Sequence, residues 1–378
     1  MTRKAIYDCI VIGVGGIGSA ALYHLARRGV KALGLDRFPP GHDRGSSHGE
    51  TRVFRQAYIE HPDYVPLAQR SHALWRELAA KRAEALYTET GFLQVGPAEG
   101  AVVRGVLKSA REHNLAVEEL SARDVERRFP AFGVPESMKG VFESQAGFLA
   151  VEACVRAHAE EAIGLGATVH SDEPALSWKA EGAGVVVTTE RGAYCARSLI
   201  ITAGAWAPLL LKELGVPFEV RRKPLFWFAT REPSYSASNG CPCFFFETQK
   251  GLFYGVPGID DFGVKAAEHT GGDPVENPLG VDRGLHPEDQ SRVEEFLGAH
   301  LPGVSHTRTQ HTVCLYTMTP DEHFVVDRHP ANENVAFAAG LSGHGFKFAP
   351  VLGEALTDLV LEGKTRAPIG FLSSRRGF

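Results

Sequence analysis

The run IYDCIVI, residues 6–12, is apolar except for Asp8. A short, continuous, β-branched run bounded by glycine is the pattern of a parallel strand buried on both faces. The period then changes. Ile17, Ala21 and Leu25 recur every four residues and mark one face of a helix. Arg27 and Arg28 fall in its last turn, where cations favour the helix dipole, and Gly29 ends it. A second strand, KALGL, leads directly to Asp36. Further on, Val151, Val155, Ala159 and Ile163 predict a helix over 151–165, with a strand entering at Ala167. RSLIITAGAWAPLLL reads as a strand over 199–202, a glycine turn at Gly204 and a helix carrying Trp206 and the leucines. NVAFAAGLSGHGFKFAPVLGEALTDLVLEG repeats that order: a strand over 335–339, a glycine loop, and a helix with Leu352, Leu356, Leu359 and Val360 on one face. The segments between are of another kind. RKPLFWFATREP and CFFFETQKGLFYGVPG are aromatic, strand-like and rich in turns.

This distribution predicts an α/β fold: a discontinuous, Rossmann-like cofactor domain from 1–85, 145–218 and 320–378, interleaved with a β-rich (α+β) substrate domain from 86–144 and 219–319. A length of 378 residues suits two domains. The 44% apolar and 22% charged fractions are those of a globular protein. With a net charge of -5 and no basic tract beyond pairs such as Arg221-Arg222, a nucleic-acid partner is not expected. MTRKAIYDCIVIG places charge before an apolar run, as a signal peptide does. However, Asp8 interrupts the run and glycines follow it, so a strand fits better. No apolar stretch reaches the ~18 residues of a membrane helix. The six cysteines are scattered, and only Cys241-Pro-Cys243 is a close pair; reduced thiols in a cytoplasmic protein are expected. His48, His269, His311, His323 and His344 include no H-E-x-x-H pair, and no metal is expected.

The chemistry begins at Gly13-Val14-Gly15-Gly16-Ile17-Gly18, a G-x-G-x-x-G between the first strand and its helix. Gly13, Gly15 and Gly18 let backbone approach a pyrophosphate at the helix N-terminus, and Asp36 stands where an acid accepts from ribose hydroxyls. The complete unit predicts a dinucleotide and does not separate FAD from NAD.

At this point the chain resembles the monomeric sarcosine oxidase family of flavin amine oxidases, which includes N-methyltryptophan and L-pipecolate oxidases. The resemblance is carried by VIGVGGIGSAALYHLARRG, GSSHGETRVFRQAY, TAGAW, GVKAAEHT, VCLYTMTPDEHFVVDRHP and GLSGHGFKFAPVLGE, in order along nearly the whole chain. It implies FAD and a small amino-acid substrate with a secondary amine. It also implies oxygen as acceptor, hydrogen peroxide as product, and a monomer. It assigns Arg55 and Lys347 to the substrate carboxylate, and it lines the pocket with His269, Tyr254, Tyr316 and Phe245. By the same resemblance Lys265 is expected to promote the reaction with oxygen, and Arg52 and His48 to lie near the flavin ring. The resemblance thus makes Lys265, Arg52, His269 and Tyr254 the expected catalytic set. Ser46, Thr51, Val169, Gly204, Trp206, Gly343 and Gly345 complete the cofactor contacts, with Lys347 shared.

The residue types agree with these roles. A planar guanidinium suits bidentate capture of a carboxylate, and Arg52 and Arg55 share a face if ETRVFRQAY is helical. A fixed cation stabilises the charge created when oxygen takes one electron. The backbone N–H groups of SGHGFKF and the dipole of the following helix suit the anionic edge of a reduced flavin. Taken alone, Cys314 reads as a buried small hydrophobe. The resemblance makes it the thioether anchor of the flavin 8α carbon, which needs a cation or donor nearby, with His311 one candidate. Three departures leave the substrate open: Glu50 in place of aspartate, Ala267-Glu268 before His269, and the aromatic CFFFE as pocket wall. A dehydrogenase feeding a quinone or protein acceptor is the alternative within flavoenzymes. A non-catalytic flavoprotein is a remoter one.

Overall fold

In a computed structural model, which describes residues 6–378, Ile6–Ile12 lies between Gly192–Ile201 and Ala32–Leu35, parallel to both. Asn332–Ala339 adds a further parallel strand beside Gly192–Ile201, and Thr168–His170 one beside Ala32–Leu35. Antiparallel Ser177–Glu181, Gly184–Thr189 and Val325–His329 complete this eight-stranded sheet. The apolar run of the first strand is divided by its own alternation. Cys9 and Val11 face the helices Gly16–Arg27, Val151–Gly164 and Ala349–Glu362; Ile10 and Ile12 face Val185, Val187, Tyr194 and Phe337. A strand covered on both sides has no polar position to spare, which explains its composition.

The second sheet has nine strands, drawn from 92–143 and 219–318. Its two chain pieces meet where Cys243–Thr248 runs parallel to Phe92–Pro97. The long pair Glu219–Thr230 and Val304–Met318 forms one flank. Successive side chains of Cys243–Thr248 point to opposite faces. Phe244 and Phe246 enter the core with Phe132 and Phe296, whereas Phe245 turns to the other side.

A small sheet of Thr51–Phe54, Gly147–Ala150 and Tyr87–Thr88 completes the strands. It overturns the helical reading of ETRVFRQAY. Thr51 and Val53 are β-branched and pair with Gly147–Ala150, so Arg52 lies within a strand and Arg55 just past its end. The helix expected to carry Trp206 is also shorter than the pattern suggests. Gly204–Trp206 is a 3-10 turn, followed by only one helical turn, Ala207–Leu210. The leucine run has no helical face: Leu210 and Leu211 are buried, while Leu209 is 69% exposed. Among the described residues no helix is long and apolar enough to cross a membrane.

Candidate active site

The carboxyl ends of four parallel strands, at Ile12, Leu35, Ile201 and Ala339, open into one cavity, lined there by Gly13, Asp36, Thr202 and Gly340. It continues to the second sheet, where Phe92, Phe245, Tyr254 and Tyr316 form the wall. Its volume is about 1750 Å³ with the mouth included. Because one lining runs from the Gly13 turn to the Phe92–Tyr316 wall, an extended cofactor and a small substrate can share it.

The first end fits a dinucleotide. Helix Gly16–Arg27 starts from Gly15, which has no side chain to cap it, and Gly15 and Gly16 line the cavity, so the positive end of the helix faces it. Ser47 Oγ accepts from Gly16 N at 3.1 Å and ties the neighbouring loop to that turn. Asp36 is fixed at the strand end by the N–H groups of Val14 and Phe38, while burial pushes its carboxyl upward. Gly13, Gly15, Ser46, Gly204 and Trp206 all line this region. Gly18 does not: a Cβ there would lie 1.7 Å from the Gly13 carbonyl oxygen, so this glycine lets helix and strand approach. Val169 also lies off the cavity, on strand Thr168–His170; Pro174 and Ala175, just downstream, line it instead.

In the middle, two cations converge on one carbonyl. Thr51 O accepts from Arg52 Nη1 at 2.9 Å and from Lys265 Nζ at 2.8 Å. Lys265 also donates to Thr51 Oγ1 at 3.2 Å and to Gly49 O, and it is 2% exposed. Burial pushes its ammonium down to about 7. Arg52 Nη2 donates to Ser46 O at 3.0 Å and to Cys314 Sγ at 3.1 Å. The cation beside Cys314 is therefore Arg52; His311 is paired with Arg308 at 3.5 Å. Arg52 and Ser46 line the cavity, whereas Thr51, Lys265, Cys314 and His48 stand directly behind that lining. His48 Nε2 is buried without a protein partner, and burial, Arg52, Arg283 and Lys265 push the ring down to about 3, so it is neutral. Thr317, which does line the cavity, has its Oγ1 buried without a protein partner, and such an atom fits a site that a cofactor completes.

At the far end Arg55 and Lys347 both reach the cavity. Arg55 is not idle. Its Nη2 lies 2.9 Å from each carboxylate oxygen of Glu60, and its Nη1 donates to Ala57 O at 3.0 Å. Burial pushes the Glu60 carboxyl up, but Arg55, His344 and Lys347 outweigh it and hold the group well below the usual carboxylate range. Lys347 Nζ donates to His344 O at 2.7 Å, and burial pushes it well below an ordinary lysine. His269, neutral because burial and Lys223 push it down to about 3, lies 3.5 Å from Tyr316 Oη through Nδ1. Gly343 has a positive φ of 82°, and a Cβ would fall 2.2 Å from the Tyr316 ring. It and Gly345 line the cavity, but the absence of a side chain at Gly343 serves the packing of Tyr316. Of the CFFFE wall only Phe245 reaches the cavity. Sequence reasoning missed Glu60 and Tyr58, whose only signal was a lone acid and a tyrosine close after two arginines.

The FAD dependent oxidoreductase family model matches residues 8–359. The chain is 40% identical to monomeric sarcosine oxidase of Arthrobacter sp. (strain TE1826), over 100% of its own length and 98% of that protein. It is 38% identical to N-methyl-L-tryptophan oxidase of Yersinia pestis (strain Pestoides F), over 92% of this chain and 93% of that one. Among solved structures, NikD, an unusual amino acid oxidase essential for nikkomycin biosynthesis, superposes with a TM-score of 0.86 at 26% identity, covering 98% of each chain. L-proline dehydrogenase from P. horikoshii shares the fold with a TM-score of 0.85 at 20% identity, covering 99% of this chain and 98% of that one.

Proposed function

The chain belongs to the FAD dependent oxidoreductase family, and from that premise we propose that it oxidises the secondary amine of an N-methyl or cyclic amino acid, sarcosine or a relative, to the imine. The observation that carries this reading is the one cavity that joins the helix N-terminus at Gly15 and Asp36 to the Arg55–Lys347 pair. Gly13, Gly15, Asp36, Ser46, Gly204 and Trp206 would hold FAD on the segments 1–85, 145–218 and 320–378, while 86–144 and 219–319 supply the substrate side. When bound, FAD supplies the acceptor for a hydride from the carbon beside nitrogen, with dioxygen as the final acceptor and hydrogen peroxide as product.

Arg55 and Lys347 hold the substrate carboxylate by charge-assisted hydrogen bonds, and Glu60 yields Arg55 to it. Phe92, Phe245, Tyr254 and Tyr316 exclude water around the amine, and neutral His269 adds no charge. A dry, apolar wall favours the neutral amine, whose lone pair the reaction requires. Lys265 supplies a fixed buried cation for the reduction of dioxygen. Cys314 would hold the flavin by a thioether to its 8α carbon, a bond whose formation gives up two electrons to the flavin and then to dioxygen, and Arg52, in contact with Sγ, would be the cation that favours the thiolate this requires. All six cysteines are free of disulfides, which supports a reducing, cytoplasmic setting; likeness to monomeric sarcosine oxidase supports a monomer.

The test is a panel of secondary-amine amino acids added anaerobically to the purified protein, with flavin absorbance followed, then air readmitted and peroxide measured. At least one member should bleach the flavin and yield stoichiometric peroxide. No bleaching by any member refutes the substrate class; bleaching without peroxide at the turnover rate moves the electrons to another acceptor.

A further inference from the structure

We propose that Tyr58 is a positioning residue that holds Arg55 and Lys347 on a common target and so sets the preference of the site for a carboxylate; this rests on the carboxylate-binding role of that pair given above. Tyr58 is fully buried and meets each cation through a different part of itself. The Arg55 guanidinium carbon lies 4.0 Å from the centre of its ring. Its hydroxyl accepts from Lys347 Nζ at 3.3 Å and lies 2.6 Å from His344 Nδ1.

The direction of that chain follows from its far end. His344 Nε2 lies 3.0 Å from the Glu322 carbonyl oxygen, which can only accept, so Nε2 carries the hydrogen. Nδ1 of the neutral ring is then the acceptor, and the Tyr58 hydroxyl donates to it in preference to His344 O, which is farther at 3.4 Å. The hydroxyl oxygen keeps its lone pairs for Lys347. Each member donates to the next: Lys347, Tyr58, His344, Glu322. Burial pushes His344 down to about 4, which agrees with a neutral ring.

The ring is itself immobilised. Tyr64 and Phe348 pack at centroid distances of 4.7 and 5.2 Å, and the Tyr58 backbone N–H is held by Ser109 Oγ at 2.9 Å. Two cations side by side repel, and Glu60 offsets that only while it occupies Arg55. Once a substrate carboxylate replaces Glu60, Tyr58 still presents a π face to the guanidinium and an oxygen to the ammonium. A phenylalanine keeps the face and breaks the chain in the middle, leaving His344 Nδ1 without its donor.

The experiment uses the FAD-loaded enzyme and two probes that cannot be oxidised, thiophene-2-carboxylate and its neutral isostere thiophene-2-carboxamide, with binding read from visible flavin absorbance. The parent should bind the carboxylate at least about tenfold more tightly, the scale of one charge-assisted hydrogen bond. In Tyr58→Phe this ratio should fall about tenfold while the carboxamide constant stays within about twofold. In a Lys347→Met background, adding Tyr58→Phe should change the ratio by less than about twofold, because the partner through which Tyr58 acts is already gone. An unchanged ratio in Tyr58→Phe, or equal weakening of both probes, overturns the proposal. A parent that does not prefer the carboxylate overturns the clamp itself, and the role of Tyr58 with it.

Discussion

Both carboxylate oxygens of Glu60 lie 2.9 Å from Arg55 Nη2, so the cavity's guanidinium already holds a carboxylate supplied by the chain. A substrate carboxylate must displace it, and its apparent affinity is reduced by the fraction of sites in which Glu60 is engaged. Glu60→Gln should therefore lower KM for the carboxylate-bearing substrate by about three- to tenfold, about 1 kcal/mol, with a smaller change in kcat. The same change should lower the melting temperature, because Arg55 is buried and loses its ion partner. A raised KM would mean that Glu60 contacts the substrate instead of competing with it.

The convergence of Arg52 and Lys265 on Thr51 O places a second cation beside the first without any acid between them. Lys265→Met should slow reoxidation of the reduced enzyme by dioxygen by about 10²–10³-fold, the usual cost of removing one charge-stabilising donor. Flavin reduction by substrate should change far less. Stopped-flow measurement of the two half-reactions separates them, and equal losses in both would refute this role for the lysine.

The same lysine makes a pH prediction of definite sign. Its folded ammonium titrates at about 7 against an ordinary 10.5. The cation needed for dioxygen is present below about 7 and is lost as pH rises through it, so the parent's reoxidation rate should fall toward alkaline pH. In the interval from about 7 to 10.5 the unfolded chain binds one proton more than the folded chain, so this group makes stability rise with pH there. Lys265→Met should flatten both profiles. Reoxidation traces and denaturant midpoints across that interval test them separately.

Much of this was visible in the residues, for reasons that differ by element. Ile6–Ile12 could be read because a strand buried on both faces has to be apolar throughout. Val151–Gly164 could be read because Val151, Val155 and Ala159 lie on its buried face; Ile163, assigned to that face by the same step, is 50% exposed, since a four-residue step drifts off a 3.6-residue turn. The clamp geometry could not. Arg52 and Arg55 are brought to the cavity by a strand that pairs with Gly147–Ala150, a partner nearly a hundred residues away in sequence, and local spacing suggested a helix. Glu60 carries no pattern in YIEHPD, because an acid is assigned to a cavity only by what folds around it. In CFFFE, alternation alone says that Phe245 and its neighbours face opposite ways, but only the packing of Phe296 and Phe132 against Phe244 and Phe246 says which way is the cavity.

Contact between Arg52 Nη2 and Cys314 Sγ at 3.1 Å leads to a pair of variants. After acid precipitation the parent should carry its yellow colour in the pellet. Cys314→Ala should release all of it to the supernatant while still binding FAD before denaturation. Arg52→Met keeps the thiol and removes the cation, and the covalent fraction should fall severalfold at equal total flavin. Full attachment in Arg52→Met would assign the activation of Cys314 to another group.

The last prediction concerns what the cavity accepts. Phe245 reaches the wall that Phe92 and Tyr254 also form; its partners on the two neighbouring strands are Tyr254 and Gln94, and Cys243, Phe148 and Val256 pack with it. Its ring therefore limits the size of the group that can sit beside the amine. Phe245→Ala should open that volume and raise kcat/KM for a bulky N-methyl amino acid relative to sarcosine by about tenfold or more, since each methylene of fit is worth roughly 1–3 kcal/mol. The variant should also be less stable, by up to about 3–5 kcal/mol for a buried phenylalanine, so the ratio is to be measured well below its melting temperature. If instead both substrates lose efficiency in parallel, Phe245 supports the sheet and the specificity wall lies at Phe92 or Tyr316.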